Sequence, residues 1–281
     1  MQQPMYTFLL GAAFMAYLQA AVAYNVLFWR RLPRYGRWAT VGLVAGAAVH
    51  TIALIVAWLE IGRPLFGMGA NTLAYYSWLT VLIYLVLERT VRQKALGFLV
   101  APLISVAVLA AIFLPVQEKA ALAPFASSVW LPVHIGVSFA SYAALSVAFV
   151  SAVLYLYRER QLKSHRLDAL SANSPALGTL EVTTYRLVEA GFLLLTITIL
   201  IGSVGSQQAW GRYWSWEPKQ TAALLTWLVY LAYFILRNVT RLSGGQTARC
   251  AIAGFVSILV TYFAVNLLLP GQHNFSLMVS P

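Results

Sequence analysis

Hydrophobic and polar positions fall into blocks along this chain, with long apolar runs separated by short polar connections. The runs lie near residues 5–29, 38–59, 71–87, 96–115, 130–156, 184–203, 220–236 and 248–269. Each is close to the roughly 20 residues that an α-helix needs to cross the hydrocarbon core of a bilayer. Backbone groups in hydrocarbon must be paired internally, and no alternating β pattern is visible, so helices are the solution that remains. The pattern predicts an all-α integral membrane protein, a bundle of eight transmembrane helices.

Composition agrees with a membrane protein. The 281 residues are 60% hydrophobic and only 10% charged, whereas soluble domains carry about 25% charged residues. No repeat or Gly/Pro-rich linker divides the chain, so we expect one polytopic membrane domain over residues 1–281. The first run has no Lys or Arg before it, and we expect it to remain as a membrane helix. Cys250 is the single cysteine, which excludes an intramolecular disulfide and favours a packing role.

The distribution of positive charge predicts the orientation in the membrane. Thirteen of the 19 cationic residues lie in connections that follow odd-numbered segments, and two more, Arg186 and Arg249, lie at the start of the segments after those connections. The other four are Arg63, Lys119, Arg212 and Lys219. The positive-inside rule then places both termini outside the cytoplasm and the long connection 157–183 inside it. The net charge of +11 comes from short basic clusters between apolar runs, which is the usual distribution of the charges that orient a membrane protein. We therefore expect no binding of nucleic acid.

The external connection between the sixth and seventh segments, residues 205–220, concentrates aromatic and charged residues. It contains Trp210, Arg212, Tyr213, Trp214, Trp216, Glu217 and Lys219. One interpretation is an interfacial aromatic belt, since Trp and Tyr favour the headgroup level. The other is a platform for a flat, apolar, acidic ligand such as haem, whose propionates would pair with Arg212 or Lys219.

Histidines at the same side of the membrane favour the haem interpretation. His134 and His273 fall at the outer ends of the fifth and eighth segments, and imidazole is a common axial ligand of haem iron. The alternative for each is a hydrogen-bonded interfacial residue. His50 lies near the middle of the second segment, where a polar side chain is either functional or bonded to a neighbouring helix. His165 is in a basic connection, and we expect it to be solvated.

The loop carries a recognisable signature. The string Trp210-Gly211-x-Tyr213-Trp214-x-Trp216-Glu217-Pro218-Lys219 resembles the tryptophan-rich motif of the haem-handling proteins of cytochrome c maturation, in particular the CcsA/ResC type of System II. The resemblance covers most of the chain. Its other parts are Leu180-Glu181, Tyr185-Arg186, Gly191-Phe192, Trp227-Leu228-x-Tyr230 and His134-x-x-x-Ser138-x-x-x-Tyr142.

This resemblance implies a function. The loop 210–219, with His134 and His273, would hold haem b as a bound substrate at the outer face of the bacterial cytoplasmic membrane, with the loop facing the periplasm or the outside. The implied partners are a ResB/CcsB-type membrane protein and an apocytochrome c that receives the haem covalently. The chain would then be a subunit of a ligation complex and not an enzyme alone.

The sequence also departs from the family pattern. Glu217 replaces the usual Asp, Gln220 and Ala74 stand where relatives commonly have Glu, and Ile235 lies near the position of a buried histidine in many relatives. His50 is our hypothesis for a replacement ligand at membrane depth. Two other functions stay open: a haem chaperone or haem-pathway regulator without ligation activity, and a small-solute transporter. The second is weakened because Glu189 is the one acidic residue well placed within a segment.

Overall fold

The computed structural model describes residues 4–61, 70–91, 93–114, 130–165, 168–239 and 244–260, and within these ranges every regular element is a helix. The helices are α1 (Pro4–Arg30), α2 (Arg34–Ile61), α3 (Ala70–Val91), α4 (Gly97–Phe113), α5 (Trp130–Lys163), α6 (Ala169–Asn173), α7 (Leu177–Trp210), α8 (Pro218–Asn238) and α9 (Gly244–Leu259). Two compact units contain them. Unit 1 comprises residues 1–117 and 157–183, and unit 2 comprises residues 118–156 and 184–281.

The helical architecture confirms the predicted fold class. Each of the eight apolar runs overlaps one helix, and five helices of the described ranges are long and apolar enough to cross a bilayer: α1, α2, α5, α7 and α8. The chain is therefore an integral membrane protein built from helices. The count of eight spans and the outward termini stay predictions.

The described residues of the predicted connection 157–183 include helical turns. Helix α5 continues to Lys163, α7 begins at Leu177, and the unpredicted α6 lies between them. Asp168 caps α6 by accepting a hydrogen bond from the Ser171 backbone N–H, and the Tyr157 hydroxyl also donates to this carboxylate. These bonds, the one from Tyr157 foremost, hold the pKa of Asp168 below its usual range.

In unit 1, a polar network joins helices α1, α2 and α3 to the segment before α4. The Tyr24 hydroxyl donates to one oxygen of Glu88, and the Thr40 hydroxyl donates to the other at 2.5 Å. Lys94 lies 3.2 Å from the same carboxylate and donates to Thr40 and to the Gly36 carbonyl. Because Glu88 is buried, these partners supply the hydrogen bonds and the opposite charge that stabilise a carboxylate away from water.

In unit 2, three contacts show that α5 and α7 run antiparallel. Thr184 donates to Ser151, Ser141 donates to the Gly191 carbonyl, and His134 bonds the Thr198 carbonyl. As the α5 residue number falls, the α7 residue number rises. The first turns of α5 and the last turns of α7 are therefore at the same end of unit 2.

Helix α8 follows α7 back in the opposite direction and also meets α9. The indole of Trp227 donates to Thr196 at 2.9 Å and stacks on Phe192, with ring centroids 5.3 Å apart. Tyr230, which is fully buried, lies against Gly254 of α9. The Trp227 contacts hold the middle of α8 against α7, and the Tyr230 contact holds α8 against α9.

Candidate functional site

His134 lies in the first turns of α5 and is bonded to α7. Its Nδ1 is 3.1 Å from the Thr198 carbonyl oxygen. A carbonyl oxygen only accepts hydrogen bonds, so Nδ1 carries a proton, and in the neutral form of the ring the lone pair is then at Nε2. A hydrogen bond at one nitrogen that fixes the tautomer and orientation is the arrangement found for histidines that ligate metals through the other.

Gly202, one helical turn after Thr198, provides the space for this ring. A Cβ atom at Gly202 would lie 2.8 Å from Cε1 and 3.1 Å from Nδ1 of His134. Contacts this short force something to shift, so a larger residue would displace the imidazole. The glycine is therefore needed for close approach and not for an unusual backbone conformation.

Within the predicted loop 205–220, the first residues continue the preceding helix. Helix α7 continues through Trp210, and Gly211, at φ +69°, ends it in the left-handed conformation that favours glycine. Pro218 occupies the first turn of α8, where its missing N–H costs nothing. The irregular segment is residues 211–217, which we call the Trp loop.

Hydrogen bonds fasten the Trp loop to the end of α7 and the start of α8. The Ser203 hydroxyl donates to the Tyr213 carbonyl at 3.0 Å. The Gln220 amide oxygen accepts from the backbone N–H of Ser215 at 2.9 Å and from its hydroxyl at 3.2 Å, while the amide nitrogen reaches Ser206 at 3.4 Å. The loop is thereby folded back on the last two turns of α7.

These contacts bring His134 and the Trp loop to one end of unit 2. Gly202 faces the imidazole, and the next residue, Ser203, holds the loop. The anchor points Thr198 and Ser203 are five residues apart, which is roughly 7.5 Å along a helix axis. The sequence prediction that His134 flanks the loop is therefore compatible with the observed packing.

The loop aromatics differ in exposure. Tyr213 is 61% exposed and Trp216 is 70% exposed, and Trp216 has a positive φ of 56°. Trp214 meets Trp216 edge to face with ring centroids 5.9 Å apart, and its indole N–H is buried with no partner among the described residues. Large exposed aromatics on a strained backbone are a feature typical of ligand-contacting loops. Trp210 is half-buried as the last residue of α7.

The charged residues of the motif are placed unequally. Arg212 is exposed, Glu217 is buried, and Lys219 is half-buried in the first turn of α8. Lys219 also lies near enough to Glu217 for an attractive charge interaction. Of the two cations predicted to meet propionates, Arg212 is therefore the one presented to the surroundings.

Two further histidines, His273 and His50, were predicted to bind haem. His273 lies outside the described residues. His50 is in unit 1, fully buried, with Nδ1 3.3 Å from the Tyr17 hydroxyl, and its Nε2 has no hydrogen-bond partner among the described residues. Ile235, where a buried histidine was expected, is 49% exposed on α8.

Sequence reasoning missed the residues that support the site. Thr198, Gly202, Ser203 and Ser206 were not singled out, and Gln220 was noted only for its missing charge. A signal existed for Gln220, since it stands three residues after the N-cap Glu217, the position from which Gln or Glu side chains reach back to backbone donors. No comparable signal marks Gly202, because its role depends on a partner in another helix, His134.

Comparison with known proteins agrees with the motif. The sequence pattern of the cytochrome C assembly protein family matches residues 69–273. A cytochrome c biogenesis protein CcsA of Parasynechococcus marenigrum (strain WH8102) is 32% identical over 98% of each chain. The CcsA protein of Guillardia theta is 34% identical over 80% of this chain and 81% of its own length.

A solved structure shares the fold. The cytochrome c haem lyase CcmF superposes with a TM-score of 0.63 at 17% identity over 93% of this chain. This chain spans 47% of the length of that structure, and at this identity the likeness is one of fold alone. The sequence matches establish that the chain belongs to the cytochrome c assembly protein family, among its CcsA-type cytochrome c biogenesis proteins.

Proposed function

We propose that this chain binds haem at the outer face of the bacterial cytoplasmic membrane and presents it to apocytochrome c for covalent attachment. It does so as a subunit of a cytochrome c synthetase complex with a ResB/CcsB-type partner. Haem b is the bound substrate in this proposal. Family membership places the chain in cytochrome c maturation, and the roles of individual residues are our inference.

The observation that carries the proposal is the common anchorage of His134 and the Trp loop on the last turns of α7. The Thr198 carbonyl and the bare Gly202 hold the imidazole with its lone pair at Nε2. Ser203 and Gln220 hold the adjacent loop. A ligand bound here would meet a preset imidazole and a preset aromatic surface, which lowers the entropic cost of binding.

The donor set fits haem. His134 and His273 supply two imidazoles for the iron, the exposed Trp216 and Tyr213 offer flat apolar surface for the macrocycle, and Arg212 offers a cation for a propionate. Trp210, Trp214, Glu217 and Lys219 complete the proposed binding set. Haem supplies the vinyl groups to which the apocytochrome is joined, and the residues of this chain bind and orient it.

His50 is proposed as a further ligand at membrane depth. Its Nε2 is an unpartnered polar atom in the part of unit 1 that the structure describes, which is costly in hydrocarbon unless a ligand uses it. Ile235 contributes an apolar side chain to the surface of α8 and offers no ligand.

A second candidate function is a membrane haem chaperone or haem-pathway regulator without ligation activity. The observation that favours it is Ile235 in place of the expected histidine. The two are separated by deletion of the gene, because loss of a synthetase subunit abolishes c-type cytochromes at normal total haem. Loss of a regulator would change total haem.

The first test is the visible spectrum of the detergent-purified protein co-expressed with its ResB/CcsB-type partner. We expect sharp α and β bands in the reduced wild type, and loss or change of these bands in both His134→Ala and His273→Ala. His165→Asn is the matched control, since His165 lies in the polar connection at φ +53° and Asn tolerates that conformation. A colourless wild type under haem-replete conditions would make the Trp loop an interfacial belt and end the proposal.

A further inference from the structure

An open groove runs along unit 1 between α1 and α4. It has a volume of about 550 Å³ and is walled by Phe14, Leu18 and Val22 of α1 and by Val106 and Leu109 of α4, with Arg30 at one end. From Phe14 to Arg30 is 16 residues, or roughly 24 Å of helix. One leaflet of the hydrocarbon core is about 15 Å thick, half of the full core, so the groove is long enough for an extended acyl chain.

The polar groups in the groove walls are turned inward. Pro102 has no N–H to offer the carbonyl of Phe98 four residues earlier. The Asn25 amide donates to that carbonyl at 3.2 Å and to the Ala21 carbonyl at 2.9 Å. The Ser105 hydroxyl donates to the Ala101 carbonyl. What remains exposed along the walls is therefore hydrocarbon.

The end of the groove is different, because it carries an aromatic ring and positive charge. Trp29 is 46% exposed beside the exposed Arg30, and its ring meets Phe28 edge to face. Arg30 has no carboxylate within ion-pair distance in the described part of the chain. Its neighbour Arg31 is occupied, since it donates to Asn173 and to the Ala172 carbonyl. Trp and Arg at a helix end occupy the headgroup level of a bilayer.

We infer that this groove binds an anionic phospholipid. One acyl chain lies between α1 and α4, and the headgroup phosphate pairs with Arg30. The occupant follows from the charge, because an apolar cleft that ends in a guanidinium without a carboxylate partner in the described ranges complements a molecule with a long hydrocarbon tail and an anionic head. Lipid binding here is independent of haem binding and holds whether or not the haem proposal does.

Native mass spectrometry of the detergent-purified full chain tests the inference, with phosphatidylglycerol and phosphatidylcholine of identical acyl chains as probes. We expect one phosphatidylglycerol per chain to be retained in preference to phosphatidylcholine. Arg30→Gln should weaken the binding of phosphatidylglycerol about fivefold, which corresponds to about 1 kcal/mol per basic residue at an anionic surface. Arg34→Gln, in the same arginine cluster but outside the groove, should leave its retention unchanged.

A second pair of variants tests the acyl-chain part of the site. Val106→Trp fills the groove from α4 and should reduce retention of both lipids. Val41→Trp adds the same ring to an exposed position of α2 outside the groove and should not. Equal retention of the two lipids by the wild type, or equal effects of Arg30→Gln and Arg34→Gln, would overturn the inference. So would displacement of the lipid by the co-purified membrane partner, which would make the groove a helix–helix interface.

Discussion

The imidazole of His134 occupies the space that a side chain at Gly202 would take, since a Cβ atom there would lie only 2.8 Å from Cε1 of the ring. The same ring is held from one side by the Thr198 carbonyl. A glycine in α7 thus determines where the imidazole of a histidine in α5 lies.

Replacing Gly202 with alanine should therefore change haem binding, although Gly202 is not itself a proposed ligand of the haem iron. The added methyl group forces the His134 ring to move, and overpacking of this kind costs about 1–3 kcal/mol. We expect altered α and β bands in the reduced spectrum and a lower yield of cytochrome c. Gly136→Ala is the control, since a Cβ there meets nothing within 4 Å and the position is two residues from His134. Identical spectra for the two variants would show that the Gly202 contact does not position the ligand.

The Gln220 side chain gives a second test, directed at the Trp loop. Gln220→Leu leaves the Ser215 backbone N–H without its acceptor, and an unsatisfied group of this kind costs about 1–3 kcal/mol. Gln220→Glu keeps the acceptor. We expect faster amide hydrogen exchange across residues 211–217 and lower haem retention in the leucine variant, with both near wild type in the glutamate variant. Equal behaviour of the two would contradict an anchoring role.

The buried carboxylate of Glu88 predicts a stability effect that is separate from haem. Glu88→Leu removes the acceptor for Tyr24 and Thr40 and the partner of Lys94. We expect a loss of about 1–3 kcal/mol in the free energy of unfolding, seen as a lower thermal midpoint in detergent. Adding Lys94→Met should recover part of the loss, because the unpaired cation is then gone.

The control for this prediction is Glu159→Ala. Its pair with Lys163 is exposed and spaced i, i+4, so its removal should cost about 0.5 kcal/mol or less. A midpoint in Glu88→Leu no lower than in Glu159→Ala would show that the network does not stabilise unit 1.

Substitution of His50 distinguishes a haem ligand from a packing residue. If its Nε2 binds haem within the membrane, His50→Ala lowers the haem content and the cytochrome c yield at unchanged protein level. Tyr17→Phe removes only the hydroxyl 3.3 Å from Nδ1 and should retain haem. Unchanged haem content and cytochrome c yield in His50→Ala would assign His50 to helix packing.

Much of the architecture followed from local sequence. Apolar runs of membrane-spanning length located the eight longer helices of the described ranges, because bilayer thickness fixes helix length and hydropathy is a property of neighbouring residues. Gly211 and Pro218 lie at the two ends of the Trp loop, where their backbone preferences suit a helix end and a helix start. Helices α5 and α7 extend beyond their apolar runs into the connection 157–183. The hydropathy pattern did not show these turns, because polar helical turns outside the bilayer carry no hydropathy signal.

The sequence by itself determined the fold class, the family and the fact that the chain is an integral membrane protein, since each depends on composition, local hydropathy or a contiguous motif. Only the tertiary structure decided that Gly202 makes room for His134, that Asn25 satisfies the Phe98 carbonyl freed by Pro102, and that Arg31 is occupied while Arg30 faces a groove. Each of these relationships joins residues that are far apart along the chain. They depend on which faces of two helices meet, and that is set by packing between distant segments and not by the periodicity of either one.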